Sequence, residues 1–175
     1  FLAKNFLTSI SPWIVSPEAL APFRIAQAPR PAGDPRPLPY LWSDTDQASG
    51  ALDIELEVWL RTDTMRRNGA APAPLSRSNT RHLYWTAAQM LTHHTSGGCN
   101  LRAGDLFGSG TVSAPGGAGS LLELSRGGTR PVQLPNGETR AFLRDGDEVI
   151  LTARAQRPGF ASIGFGECRG VIAAA

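Results

Sequence analysis

From Leu52 to Leu60 the chain alternates. Ile54, Leu56, Val58 and Leu60 fall on one side of an extended backbone, and Asp53, Glu55 and Glu57 on the other. A period of two predicts a half-buried strand with a solvated acidic face. From Asn79 the period lengthens, and Leu83, Ala87, Met90, Leu91 and His94 share one stripe at helical spacing. Ser78 or Asn79 is the expected cap and Gly97 the expected left-handed stop, giving one long helix. Downstream, apolar runs broken by turn residues predict short strands at LRAGDLF, SLLELS, RPVQL, TRAFL and DEVILTARA, with Asn136-Gly137 as a hairpin turn. The pattern Leu-Arg-x-Gly-Asp occurs twice, at 101–105 and 143–147, and is read both times as a turn launching a strand.

Upstream, prolines at 12, 17, 22, 29, 31, 35, 37 and 39 rule out a long helix. The run APRPAGDPRPLPYL is expected to be a proline-stiffened segment laid over a surface, and 63–77 an exposed loop. Taken together the pattern predicts an α+β, mostly β fold.

Composition narrows the function classes. The chain has 175 residues, 41% apolar and 18% charged, enough to bury the core of one domain. A net charge of only +2 on scattered arginines argues against nucleic acid. No apolar run reaches the roughly 18 residues of a membrane helix, and no signal peptide is visible, so no membrane association is expected. Two cysteines, Cys99 and Cys168, make no disulfide framework and fit a cytoplasmic setting. The start Phe-Leu-Ala-Lys, without Met, reads as the middle of a longer protein.

Chemistry-bearing residues are few. His93 and His94 are adjacent, point in different directions, and have no second pair at zinc spacing, so a structural role at a helix end is favoured. The glycine-rich run from Gly108 to Gly119 precedes no helix able to cradle phosphate, and reads as a turn. Asp53, Glu55 and Glu57 share the face of a strand and are read as its solvated side, not a cation site. Glu123, a carboxylate among leucines, reads as exposed on a one-sided sheet. Lys4 is the only lysine among 17 basic residues, which suggests a place where a guanidinium does not serve.

The stretches FLAKNFLTSISPWIV, DPRPLPYL, YWTAAQMLTHHTSGGCNLRAGDLFGSGTVS, LLELS, FLRDGDEVI and GFGECRG, in this order, together resemble the C-terminal part of the fumarylacetoacetase family, hydrolases of tyrosine and phenylalanine breakdown. The resemblance covers essentially the whole chain. It implies a mixed β-sandwich roll over residues 1–175, a homodimer, and a reaction that splits a carbon–carbon bond of fumarylacetoacetate. It also implies a divalent cation, magnesium or calcium, in the full-length protein.

Residue by residue, Glu123 matches the glutamate that orients a general-base histidine, and Thr111 a threonine that contacts substrate. Lys4 matches a lysine beside the oxyanion and cation, and Thr8 a threonine of a cation site, which Lys4 joins only through its carbonyl oxygen. The family's metal-binding carboxylates and general-base histidine precede this lysine. The chain by itself is therefore expected to hold no cation tightly and to be inert. Alternatives are another enzyme of the superfamily (acylpyruvate hydrolase, decarboxylase or hydratase), or a non-catalytic β-roll for dimerisation. The run DPRPLPYL counts against the first.

Overall fold

The structure is a computed structural model that describes residues 8–174; Lys4 lies outside them. Its elements are β1 (Arg24–Ile25), α1 (Asp44–Ser49), β2 (Ala51–Leu52), β3 (Glu55–Arg61), α2 (Asp63–Arg67), β4 (Ala73–Asn79), α3 (Ala87–Ser96), α4 (Leu121–Leu124), β5 (Val132–Gln133), β6 (Thr139–Arg140), β7 (Glu148–Ala155) and β8 (Ile163–Val171). The fold is α+β and mostly β, with α3 the one helix longer than two turns among the described residues, as the sequence pattern predicts.

The main sheet is antiparallel throughout, in the order β4-β3-β7-β8, and two small two-stranded sheets pair β1 with β2 and β5 with β6. The alternating strand is central: β3 pairs Leu56 with Ser78 and Ala153, and Val58 with Ser76 and Leu151. Its acidic face pairs with arginine instead of standing free in water, since Arg77 bridges Glu55 and Glu57 while Arg81 holds Asp53.

Two apolar clusters anchor the sheet. Leu60, Met65, Ala73 and Leu134 are buried together at one end, and Phe23, Ile54 and Ala155 at the other. Each fully buried large side chain of this kind contributes roughly 1.5–3 kcal/mol. Leu60 and Met65 meet because α2 is folded tightly back: the Thr62 hydroxyl accepts from the Met65 amide at 3.1 Å, capping the helix.

Several local expectations are corrected. Residues 63–77 are not a loop: they form α2 and most of the edge strand β4, whose solvent-side Pro74 an edge tolerates. The long helix starts eight residues later than Asn79, which instead ends β4 and caps a short 3-10 turn. Its true cap is Thr86, whose hydroxyl accepts from Gln89 N–H while the Gln89 side chain answers the Thr86 amide. The left-handed residue after it is Gly98, not Gly97. LRAGDLF is a turn without a strand, and SLLELS contains the short helix α4.

The two Leu-Arg-x-Gly-Asp copies do make the same turn. In each, the Asp amide donates to the Arg carbonyl and the Arg amide to the Asp carboxylate, at 2.8 Å for Asp105 and 2.9 Å for Asp147. The proline segment lies over the start of α3 as expected. There the Arg30 guanidinium sits 4.5 Å from the Tyr84 ring centre and 4.2 Å from that of Trp85, and the Leu41 carbonyl accepts from Gln89.

Candidate functional site

The apolar side of β3 is not fully covered. Leu56 and Val58, with Ser76, Ser78, Leu151, Ala153, Phe165 and Cys168, floor a cleft of about 330 Å³. Its opposite wall is the glycine-rich loop, through Gly110, Thr111, Val112 and Gly119, and Ser11 closes a further side. A polar hydroxyl above a largely apolar floor suits an apolar carbon segment that carries an oxygen.

The loop is held by a tight hairpin. Ala114 and Gly117 exchange backbone hydrogen bonds of 2.7 and 2.9 Å across Pro115 and Gly116. Proline followed by a residue at positive φ, here Gly116 at +78°, is the signature of a type II turn. Gly117 then lies so close to the Arg77 carbonyl that a Cβ at that position would stand 1.8 Å from it. The hairpin thus rests on β4, and Ser76 donates to the Ala118 carbonyl. Gly117 and Gly119 serve close packing, Gly116 serves the turn, and Thr111 is carried over the sheet as a result.

Past the hairpin, Ser120 caps α4 by accepting from the Glu123 amide at 3.2 Å. Glu123 is exposed, as its sequence context suggested, but it stands on this helical turn and not on a strand. Its carboxylate accepts from Ser113, 3.0 Å from Oε1 and 2.9 Å from Oε2, and from Ser120 at 3.0 Å. The bonds from Ser113, then from Ser120, hold its carboxyl below the usual carboxylate range. Glu123 is thereby an anion and a hydrogen-bond acceptor at neutral pH.

The structure brings Thr111 and Glu123 onto one loop system, linked through Ser113. Thr8 is exposed; three residues on, Ser11 lines the same cleft as Thr111 and donates to the Phe165 carbonyl at 3.3 Å. Nothing is described for Lys4. Sequence reasoning missed Ser113, Ser120 and the cleft floor. The spacing Ser120-x-x-Glu123 is a capping signal that would have exposed the helix.

His93 and His94 occupy the last turn of α3, where Nδ1 of His93 lies 2.9 Å from the Tyr40 hydroxyl and His94 packs edge-on against Phe107. Among the described residues no group of three His, Cys, Asp or Glu side chains stands close enough to hold a metal ion. Thr8 adds only a neutral hydroxyl, and Asp53, Glu55 and Glu57 are committed to arginines. The described residues by themselves therefore do not make a divalent-cation site, which needs several oxygens and usually carboxylates. No helix among them is long and apolar enough to cross a membrane.

Comparison with known proteins comes to the same region of sequence space. Residues 1–173 match the sequence pattern of the family described as fumarylacetoacetate (FAA) hydrolase C-terminal. The chain is 49% identical over 174 residues to fumarylacetoacetase of Homo sapiens, 48% to that of Caenorhabditis elegans and 45% to that of Oryza sativa subsp. japonica. Each alignment covers 98% of this chain but only 38–39% of the relative, so the chain spans about two fifths of the length of the proteins it matches.

Proposed function

Because the chain belongs to the fumarylacetoacetate hydrolase C-terminal family, we propose that it is the C-terminal part of a fumarylacetoacetase, an enzyme that hydrolyses fumarylacetoacetate to fumarate and acetoacetate. The observation that carries this reading is 45–49% identity, over nearly the whole chain, to proteins of that name. The cleft between Thr111 and the β3 floor, mostly apolar, suits the carbon chain of this substrate; in this reading its two carboxylates are met by cationic groups outside the cleft lining.

In this reading Glu123 accepts a hydrogen bond from a histidine contributed by the rest of the enzyme, fixing the ring and favouring its protonated form once it has taken a proton. That histidine removes a proton from water as the water oxygen bonds to the substrate carbonyl carbon. Lys4 donates to the resulting oxyanion. The oxyanion collapses, the carbon–carbon bond breaks, and its electron pair leaves on acetoacetate as an enolate, which takes up the proton. Thr111 holds a substrate oxygen over the cleft. In this reading a magnesium or calcium ion would be held in the full-length enzyme by carboxylates outside these 175 residues, and would polarise the substrate carbonyl. Thr8 and the Lys4 carbonyl supply at most neutral oxygens to it.

The full-length protein is proposed to act as a cytoplasmic homodimer. Free Cys99 and Cys168 support the compartment. The exposed Ile10, Trp13 and Ile14, at 64, 69 and 96%, support an interface. Incubation of full-length protein with fumarylacetoacetate and magnesium or calcium tests the reading. Equal amounts of fumarate and acetoacetate are expected; recovery of unchanged substrate would overturn it.

A further inference from the structure

Two serines hold the Glu123 carboxylate, and they differ in what else they do. Ser120 has a structural duty, since its hydroxyl caps α4 by accepting from the Glu123 amide. Its contact with the carboxylate reaches one oxygen only, Oε2 at 3.0 Å. A single donor at one oxygen leaves the carboxylate plane free to turn about the last side-chain bond. Ser113 removes that freedom, because its hydroxyl stands astride both oxygens, at 3.0 and 2.9 Å. Its own lone pair accepts the Gly119 amide at 3.0 Å, which fixes the hydroxyl's position and leaves its proton for the carboxylate.

Ser113 is also two residues from Thr111, on the same arm of the hairpin that rests on β4. The orientation of Glu123 is therefore tied to the loop that carries Thr111, and not to α4 alone. Resting on the reading of Glu123 as the partner of the general base, we propose that Ser113 is a positioning residue. Its hydroxyl locks the plane of the Glu123 carboxylate in register with Thr111 and keeps that carboxylate a pure acceptor toward the base. Ser113 itself touches neither substrate nor water in the reaction.

Steady-state kinetics of the full-length protein on fumarylacetoacetate test this, comparing wild type with S113A, S113T, E123Q and the double variant S113A/E123Q. S113A is expected to lower kcat about tenfold, the scale of one hydrogen bond to a charged acceptor, with KM changed by less than about twofold. S113T keeps the hydroxyl and is expected to restore most of the rate. In the E123Q background the alanine substitution is expected to cost nothing further, since it acts through the carboxylate. Wild-type kcat in S113A overturns the inference, and so does an equal loss in the wild-type and E123Q backgrounds, which would mark a merely structural role. A wild-type protein without turnover fails differently: it removes the hydrolase reading first and this inference with it.

Discussion

Arg140 and Asp147 form a two-pronged ion pair, Nε to Oδ2 at 2.7 Å and Nη2 to Oδ1 at 2.9 Å, with 5 and 0% of their side chains exposed. The pair joins β6 to the second Leu-Arg-x-Gly-Asp turn, where Asp147 also accepts from the Arg144 amide. The first copy makes the same turn with an exposed aspartate and no ion pair among the described residues. One motif thus serves as a plain turn in one place and as a buried clamp in the other.

Removing one partner of a buried pair costs about 3–5 kcal/mol when the other charge is stranded. Without Asp147, Arg140 keeps only one carboxylate contact, a long 3.5 Å to Glu138. Asp147→Ala is therefore expected to lower unfolding stability on that scale, while Asp105→Ala lowers it by less than about 1 kcal/mol. Denaturant titration of both variants checks this; equal effects at the two positions would show that the ion pair contributes little.

Leu60 has no exposed surface and centres one of the two apolar clusters. Leu60→Ala is expected to cost about 2–5 kcal/mol, from lost transfer energy and the cavity left behind. A loss below about 1 kcal/mol, read from the same titration, would mean that this end of the sheet repacks freely.

The strands were legible where one face is apolar and the other charged. Residues 52–60 alternate and largely form the central strand β3, while DEVILTARA, an apolar run bounded by turn residues, forms the central strand β7. Where the pattern was weak, local chemistry decided instead. The charges of 63–77 are Asp63, Arg66 and Arg67 of the short helix α2 and Arg77 of the edge strand β4, which pairs with β3, so composition alone suggests a loop. The start of α3 was misplaced because Asn79 and Thr86 are both good caps, and only the second has Gln89 three residues on to close the box. SLLELS follows neither period, and its Ser-x-x-Glu cap was the stronger signal.

The site was less legible than the fold. Residue patterns find Lys4 odd and Glu123 exposed, but the roles of Glu123 and Thr111 come from family resemblance, and their link through Ser113 from the structure alone. No period in a sequence reports that a hairpin from 114 to 117 will dock on β4 and carry both neighbours with it.

Asp53 is held below the usual carboxylate range, first by the hydrogen bond from Arg81, against the opposing effect of burial, with Asn79 helping. A depressed folded-state value means that the stabilisation is present above the unfolded value, about 4, and is lost as pH falls below it. Both partners are partly exposed, so the effect is small. Asp53→Asn is expected to lower the denaturation midpoint at neutral pH, by an amount that shrinks as pH falls through the lowered folded-state value. A difference that persists undiminished in acid would assign it to packing.

Lys4 lies outside the described residues, and its proposed role is tested by function. Lys4→Met in the full-length protein is expected to lower kcat by about 10²-fold, the scale of a lost oxyanion donor. Lys4→Arg is expected not to restore it fully, because the broader guanidinium cannot occupy the same point. Full activity of the arginine variant would refute the role.

The charge on Glu123 is central, since its serine donors hold it as an anion beside the Thr111 loop. The most direct measurement is kcat of Glu123→Gln against wild type, on fumarylacetoacetate, in the full-length protein. Replacing the carboxylate by a neutral amide of the same shape is expected to lower kcat by about 10²-fold or more, the scale of a disabled general base, while KM moves little. A glutamine variant that turns over at the wild-type rate would contradict the assignment of Glu123 to the reaction.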